Sequence, residues 1–461
     1  MMFLYNYTKL SLWGSIYFFY PSDLIFDIIL KNIDDCGCIA IKVVQWILPK
    51  LEMIYDLDVE KDDWFKKLEK FYEYNHTHKI DYTEKIYKQD FNETLSEVYE
   101  IDSIVGSGSV GQVYKARHKI LDEYHAIKIV HPKMYSQISF LKFIIILLTK
   151  TPLIKDYITS ILPFNFYDFI KEFEQQTNMI NDANNCLYFY ENYKNDDYIV
   201  VPRTIKVSKN IFIMSYEDGI RFDDLDESDY IKYKSILLLN IFTKNNQVIT
   251  NLNHGDIHKG NWKIRVKDKK PYFIVYDFGF CWRVPEGKDK NMVEFIDDTF
   301  IKVDNGNQYT DDFVKIAKFV LSDKCTEEII LDELNRTTLR INPEVLIKII
   351  VSIAKKQRIV LDSVLIQILI TMTQWGKYLE KYSLLRLDDD KDDGFLGYEY
   401  YRKRLIDIKS FCQANNMTEK YIEYIDQKII KYNPEINDLF ETVESENNFS
   451  NLDKLKKLAI S

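Results

Sequence analysis

Apolar residues recur every three or four positions through the first 94 residues, most clearly in LIFDIILKNI and IAIKVVQWILPKLEMIYDL. This is the period of an amphipathic helix, so it predicts a helical N-terminal segment. Near position 95 the pattern changes. VYEIDSIVGSGSVGQVYKARH has a Gly/Ser cluster between β-branched residues, which predicts a strand–loop–strand hairpin. The short apolar run YHAIKIVHP ends at a proline and is typical of a buried strand.

Helical periodicity returns from about 138 to 195, and DYIVVPRTIKVSKNIFIMSYEDG then predicts two or three strands. From 229 onward helices dominate, interrupted by NHGDIHKGN and by KPYFIVYDFGFCWRV, a strand followed by a loop. Amphipathic helices are predicted for 340–375, and the final segment SENNFSNLDKLKKLAIS is predicted to be frayed. The pattern therefore predicts an α+β chain with a helical extension (1–94), a small β-rich lobe (95–218) and a mostly helical lobe (219–461).

Composition and charge narrow the function classes. A chain of 461 residues is too long for one ordinary core, which agrees with two or three lobes. The formal charge of −10 argues against nucleic acid as a partner. Six scattered cysteines indicate a reduced, intracellular protein rather than a disulfide scaffold. The pairs Cys36-Gly-Cys38 and His76-Thr-His78 lack a second pair at zinc-site spacing, so we interpret them as structural.

The N-terminal stretch MMFLYNYTKLSLWGSIYFFYPSDLIFDIIL is apolar and aromatic. It has neither the basic start and cleavage site of a secretory signal nor the Arg/Ser-rich composition of a transit peptide. We therefore expect a cytoplasmic protein without an integral membrane span. Peripheral contact of this aromatic segment with a membrane remains an open alternative.

Three groups of residues match the needs of phosphoryl transfer, which depends on positioning and charge neutralisation. The first is a glycine loop whose backbone N–H groups could approach phosphate oxygens: Gly106, Ser107, Gly108, Ser109, Val110, Gly111 and Gln112. The second is Lys128, in an apolar strand 22 residues after the first glycine. A G-x-G-x-x-G pattern alone is a weak signal, but its position before this strand favours a nucleotide site.

The third group lies in HGDIHKGN and in the YDFGF stretch that follows it. Asp256 and Asn261 have the spacing of the kinase catalytic loop, in which the aspartate orients the acceptor and the asparagine holds Mg²⁺. His254 would brace that loop, and Asp277 would bind the Mg²⁺ that bridges the phosphates. A zinc site formed by His254, Asp256 and His258 is the alternative, but it leaves the other motifs unexplained.

With these motifs the chain resembles the UbiB-type, aarF-domain-containing atypical kinases (the ABC-one family). GSGSVGQVYKA resembles the family's nucleotide loop, AIKIVHP its V-A-V-K-V-x-H-P strand, and HGDIHKGN its H-x-D-x-H-x-G-N loop. IMSYEDG resembles the hinge that pairs with adenine and indicates Tyr216 there. The resemblance implies a bilobal protein-kinase-like fold, with ATP (or ADP) and Mg²⁺ as cofactors. It implies a kinase or ATPase whose acceptor is unidentified, with a small molecule related to lipids or quinones expected over a protein.

The N-terminal extension adds to the resemblance. GCIAIKVVQW is similar to the family's K-x-G-Q element, with Lys42 and Gln45 in place and Val44 where the family has glycine. In the family this element folds over the site and restricts access by protein substrates. The resemblance therefore implies that the extension covers part of the active site.

One helix departs from the family pattern of E-x-D followed by E-A-x-N. EFEQQTNMINDANN places Gln176 and Asn178 where the first motif has acids. The second motif is matched by Asp182, Ala183 and Asn185. A glutamine cannot neutralise Lys128 as a glutamate would, so activity is in doubt, although Glu172 lies one turn earlier and could substitute.

Two other functions stay open. Aminoglycoside and choline kinases also use H-G-D-x-x-x-x-N, although DFG and GQVYKA disfavour that class. A pseudokinase scaffold would bind nucleotide without turnover and would contact partners through the 340–375 helices and the aromatic N-terminus. Nucleotide binding without phosphate release would identify the scaffold.

Overall fold

The structure, a computed structural model, describes residues 2–55, 77–151, 163–226, 228–286, 310–321, 325–337 and 343–370, with short stretches and single residues elsewhere. The C-terminal segment predicted to be frayed, the end of the 340–375 helices and His76 lie outside the described residues.

The described part of the N-terminal extension begins with the helices α1 (Met2–Phe19), α2 (Asp23–Cys36) and α3 (Cys38–Tyr55). The Ser22 side chain caps α2 by accepting a hydrogen bond from the Ile25 N–H. Gly37 follows α2 with a φ of +88° and a ψ of −170°, a conformation that glycine adopts without a Cβ penalty, and α3 begins at the next residue. Cys36-Gly-Cys38 is thus a turn between helices. No helix within the described ranges is both long enough and apolar enough to cross a membrane.

A five-stranded antiparallel sheet forms the small lobe, in the order β1-β2-β3-β6-β5. Its strands are β1 (Tyr99–Ser107), β2 (Gly111–His118), β3 (Tyr124–Val130), β5 (Thr204–Val207) and β6 (Ile211–Ser215). The predicted hairpin and buried strand are confirmed as β1–β2 and β3. Because β3 is the central strand, six of its seven residues are buried, and Lys128 is among them.

Helices flank this sheet before and within its sequence. They are α4 (Ile80–Phe91), α5 (Leu95–Val98), α6 (Met134–Lys150), α7 (Phe166–Gln176) and α8 (Met179–Tyr193). The start of α8 is capped by Asn178, whose side chain accepts a hydrogen bond from the Ile180 N–H. The helix carries buried Met179, Ala183 and Phe189 into the main core, beside Phe212 of β6.

The larger lobe combines helices with short strands. Its helices are α9 (Asp229–Lys244), α10 (Thr310–Leu321), α11 (Glu327–Asn335), α12 (Pro343–Gln357) and 363–370. Its strands are β7 (Asn253–His254), β8 (Trp262–Lys267), β9 (Lys270–Val275) and β10 (Cys281–Trp282), while β4 (Ile199–Val200) pairs with β9. We predicted β9 but not its partner β8, although WKIRVK alternates apolar and charged residues as a half-buried strand does.

Helix α3 packs against the rest of the chain, with Ile39 in the main core and Trp46 in an aromatic cluster. The Trp46 ring lies 4.5 Å from the Phe169 ring, 5.4 Å from Phe166 and 6.3 Å from Phe164, measured between centroids. Such aromatic clusters combine large apolar burial with geometric preference. The contact sets the position of the preceding turn of α3, which carries Lys42.

Candidate active site

Lys128 lies at the centre of a buried ion-paired triad. It projects from β3, where it is paired with Val113 of β2 and Phe212 of β6, and only 5% of the residue is exposed. Its Nζ atom is 2.6 Å from an Asp182 carboxylate oxygen and 2.5 Å from an Asp277 oxygen. Burial alone would lower the pKa of Lys128, but the two carboxylates raise it well above its usual range. The ammonium is therefore charged at neutral pH.

Asp182 is the acid that neutralises Lys128, which corrects the sequence-based interpretation. Its side chain is 1% exposed and projects from the first turn of α8, where the helix dipole favours a negative charge. Asn178 instead caps that helix, and Gln176 is the last residue of α7. Glu172 does not substitute, because it accepts a hydrogen bond from Ser363 Oγ at 2.5 Å. The lysine thus has its acidic partner, despite the glutamine in the first motif.

Asp277 follows β9 in a left-handed backbone conformation, with φ of +57°. Aspartate is one of the few residues that adopt this region, and it turns the carboxylate toward Lys128. Burial would raise the pKa of Asp277, but the Lys128 ammonium holds it well below its usual range. Close to half of the side chain, 46%, remains exposed. Asp277 is therefore an ionised carboxylate with a solvent-facing side.

His254 braces the catalytic loop. Its Nε2 lies 2.9 Å from the Tyr276 carbonyl, which can only accept, so Nε2 carries the proton. Its Nδ1 accepts a hydrogen bond from the Asp256 N–H at 3.2 Å. Burial lowers the pKa of His254, which agrees with this neutral tautomer. Both ring nitrogens are engaged with the backbone, so His254 positions Asp256 and has no lone pair left for zinc.

Asn261 and His258 lie on the other side of Asp256. The Asn261 amide nitrogen donates to the Asp256 carbonyl at 2.7 Å, which leaves the amide oxygen as the atom that could bind a cation. His258 Nδ1 accepts from the Gly260 N–H at 3.0 Å, while its Nε2 lies 3.3 Å from the Asn261 amide nitrogen and 3.8 Å from the Asp256 carboxylate. Among the described residues, no cluster of three His, Cys, Asp or Glu could hold a metal. Backbone groups occupy both ring nitrogens of His254 and Nδ1 of His258, which opposes the zinc alternative.

Lys42 of the extension reaches the same carboxylate. Its Nζ atom is 3.5 Å from Asp256 Oδ2, and its side chain is 13% exposed while that of Asp256 is 38% exposed. Burial would raise the pKa of Asp256, but Lys42 and then His258 lower it. Asp256 is consequently ionised at neutral pH, and Lys42 of α3 lies beside its carboxylate.

The glycine loop joins β1 to β2, and its members differ in what surrounds them. A Cβ would meet no atom within 4 Å at Gly106 or Gly108, whereas at Gly111 it would lie 2.4 Å from the Ile129 carbonyl. Gly111 is therefore required by sheet packing. Val110 is partly buried, while Ser107 and Ser109 are buried. Gln112 is fully buried, and its side-chain oxygen accepts from the His78 N–H at 2.9 Å, so it points away from the cleft.

The hinge after β6 is held by the backbone and by the larger lobe. The Tyr216 N–H donates to the Tyr124 carbonyl at 3.0 Å, and Lys115 lies 5.0 Å from the Tyr216 ring centroid. Tyr276 Oη donates to the Glu217 carbonyl at 2.7 Å. Contact between Tyr216 and adenine stays a prediction. Because the Tyr216 N–H already donates to Tyr124, the ring or the carbonyl of Tyr216 would make this contact.

The oxygen donors of the site fit a magnesium nucleotide. Mg²⁺ prefers oxygen ligands and is usually held by one or two protein groups together with substrate phosphates. The Asp277 carboxylate and the Asn261 amide oxygen are such groups, and Asp277 contacts Lys128. The open space at Gly106 and Gly108 leaves room for phosphate beside the backbone.

Comparison with known proteins identifies a family for this chain. A family model described as an ABC1 atypical kinase-like domain matches residues 74–308, just over half of the chain. Comparison with curated proteins found no match. Among solved structures, the Rv3197–erythromycin complex from Mycobacterium tuberculosis is similar with a TM-score of 0.40 and 15% identity. The similarity covers 70% of this chain and 86% of that one, and at this level it says nothing about the ligand of this chain.

Proposed function

Because the chain belongs to the ABC1 atypical kinase-like family, we propose that it binds Mg-ATP or Mg-ADP between the glycine loop and Asp277. In this proposal it transfers the γ-phosphoryl group to a small-molecule acceptor related to lipids or quinones. The observation that carries the proposal is the triad of Lys128, Asp182 and Asp277. It joins the nucleotide strand, a helix of the small lobe and the loop after β9 in one contact of an ammonium with two carboxylates.

Each residue of the site has a defined task in this proposal. Lys128, held by Asp182, would neutralise phosphate charge, and bound Mg²⁺, held by Asp277 and Asn261, would neutralise the remainder. Asp256 is ionised and kept in place by His254, so it can accept the proton of an acceptor hydroxyl. Lys42 lies 3.5 Å from that carboxylate, where a protein acceptor would have to approach. This favours a small acceptor over a protein.

Thermal-shift titration tests the proposal. Wild type and Asp277→Asn are titrated with Mg-ATP and Mg-ADP, and phosphate release is measured on the same samples. A ligand at 100 times its Kd stabilises the folded state by about 2.7 kcal/mol, which raises Tm measurably. We expect this shift, with phosphate release, in wild type and its loss in Asp277→Asn.

The matched control is Asp268→Asn. Asp268 is exposed, lies in the β8–β9 turn and has the same left-handed backbone, with φ of +53°. This variant should keep both the shift and the release. A shift without release would instead identify the pseudokinase scaffold. No shift in wild type would contradict nucleotide binding.

We also propose that the extension lies on a membrane surface, where a lipid acceptor would be found. Tyr5, Leu12 and Phe19 recur every seven residues on α1 and are 65%, 57% and 72% exposed. Residues seven apart share one helix face. Tyr20 and Leu24 continue the apolar surface and are 74% and 73% exposed. Tyrosine and tryptophan side chains are enriched at the level of the lipid headgroups.

Vesicle flotation tests this contact. Wild type should float with phosphatidylcholine vesicles, and the double variant Leu12→Glu/Phe19→Glu should remain in the soluble fraction. Ile120→Glu is the control, because Ile120 is 87% exposed but lies outside the extension, between β2 and β3. Flotation that is equal in all three proteins would contradict the proposal, as would its absence in wild type.

A further inference from the structure

A chain of hydrogen-bonded side chains lies behind the glycine loop. His131, directly after β3, places Nε2 2.9 Å from the Gly108 carbonyl and Nδ1 2.9 Å from Nδ1 of His78. His78 Nε2 is 3.0 Å from Thr83 Oγ1, which is 3.0 Å from the hydroxyl of Tyr114. His131, Thr83 and Tyr114 are each at most 3% exposed. None of these side chains has a role in the proposed phosphoryl transfer.

The donors and acceptors of this chain fit only one arrangement of protons while both imidazoles are neutral. The Gly108 carbonyl can only accept, so Nε2 of His131 carries a proton and its Nδ1 accepts. His78 must then donate from Nδ1 and accept at Nε2. Thr83 therefore donates to His78, and Tyr114 donates to Thr83. All four hydrogen bonds point toward the loop carbonyl, so the chain defines both histidine tautomers.

The same two histidines hold the loop at further points. The backbone N–H of His131 donates to the Val110 carbonyl at 3.0 Å, in addition to the ring contact with Gly108. The Gln112 side chain accepts from the His78 N–H at 2.9 Å and donates to the His78 carbonyl at 3.4 Å. Both ends of the loop tip are consequently tied to one histidine pair.

We propose that His131 and His78 are positioning residues for the nucleotide loop, which they hold in the conformation that receives phosphate. The proposal rests on the proposed nucleotide site, but the histidines should hold the loop in the nucleotide-free protein as well. Neither histidine touches the reacting atoms. Their effect should therefore appear in nucleotide affinity and in the motion of the loop, with little change in kcat.

Hydrogen–deuterium exchange of peptides spanning 104–114 in the nucleotide-free protein is the direct test. His131→Phe keeps the ring volume but removes the donor to Gly108, so exchange in this segment should become faster. His131→Gln retains an amide donor and should restore part of the protection. His78→Phe should have a smaller effect, because His131 can still donate to Gly108. Unchanged exchange in His131→Phe would overturn the proposal.

Nucleotide affinity gives the second readout. Loss of one neutral hydrogen bond corresponds to roughly fivefold in an equilibrium constant, so the Kd for Mg-ATP should rise about fivefold in His131→Phe. His131→Gln should recover part of this loss. KM for ATP should rise in parallel while kcat changes little. A fall in kcat at constant KM would contradict a positioning role.

The control for a general loss of stability is His125→Phe. His125 is also buried, lies on β3 and is bonded to the Tyr99 hydroxyl at 3.0 Å, so its replacement removes a comparable hydrogen bond. It should lower Tm without changing loop exchange or Kd. Faster loop exchange in His125→Phe as well would overturn the assignment. If wild type binds no nucleotide, the proposed function fails, while the exchange data still decide the role of the histidines.

Discussion

The glycine loop and the loop that carries Asp256 are both braced by a histidine, but the partners of the two histidines differ. His254 donates to the Tyr276 carbonyl and accepts from the Asp256 N–H, so its partners are backbone groups of the site itself. His131 donates to the Gly108 carbonyl but accepts from His78, which precedes the sheet. A backbone partner is always present, whereas a side-chain partner can titrate or move. The catalytic loop should thus be the more rigid of the two.

Lys128→Met should lower stability and activity the most, because it removes the central residue of the triad with Asp182 and Asp277. It leaves the buried Asp182 carboxylate without its cation, which typically costs about 3–5 kcal/mol in the free energy of unfolding. Phosphate release should also be lost. Urea unfolding and a phosphate assay measure both effects.

The control is Lys206→Met, since the Lys206–Glu93 pair is exposed and should contribute at most about 1 kcal/mol. The double variant Lys128→Met/Asp182→Leu should recover part of the stability but none of the activity. Equal losses of unfolding free energy in Lys128→Met and Lys206→Met would contradict a stabilising role of the triad.

His254→Phe should rank next and directly compares the braces. It leaves the Tyr276 carbonyl and the Asp256 N–H unpaired in the interior, at about 1–3 kcal/mol of unfolding free energy. His131→Phe should cost less, because Gly108 is exposed and water can replace the lost donor. We expect His254→Phe to lower kcat and His131→Phe to raise KM. The reverse pattern in steady-state kinetics would contradict the roles assigned to the two histidines.

Lys42→Met should change the pH dependence of activity modestly and stability very little. Because Lys42 lowers the pKa of Asp256, its removal should move the acid limb of the pH–rate profile to higher pH. Stability should change by less than about 1 kcal/mol, since the Asp256 carboxylate is 38% exposed. Lys67→Met, which breaks the exposed ion pair with Asp27 in the same extension, should leave the profile unchanged.

The smallest predicted effect is a pH dependence of stability that arises from His78. Burial, and then His131, lower the pKa of His78 to about 4, against about 6.5 in an unfolded chain. Between these values the unfolded chain binds more protons, so this contribution to stability rises from about pH 4 to about pH 6.5 and is level above. Tm measured against pH should lose this slope in His78→Phe and keep it in His118→Phe.

The motifs in the sequence predicted the site largely because phosphate chemistry needs particular residue types at short, fixed spacings. Lys128, Asp256, Asn261 and Asp277 come from three stretches, and the structure brings all of them to one cleft. The prediction failed for the acid that pairs with Lys128. Two candidate acids lie ten residues apart, and only the packing of α8 decides that the second one faces the lysine.

Gln112 and the histidine pair show a second limit of the sequence. Gln112 belongs to the glycine-loop motif, yet its side chain points to His78, 34 residues earlier. No spacing rule connects His78 with His131, because the two rings meet only where the segment before α4 crosses the end of β3. A histidine followed by proline at the end of a strand is read more naturally as a strand terminus.

The sequence by itself determined the family resemblance, the order of the helical and β-rich segments and the candidate residues for phosphate and Mg²⁺. These depend on local periodicity and on the chemical nature of side chains, both of which are properties of short segments. Only the tertiary structure decided that Asp182 neutralises Lys128, that Lys42 approaches Asp256, and that His131 and His78 hold the glycine loop. Each of these contacts joins residues far apart in the chain, and their distance depends on how helices and strands pack.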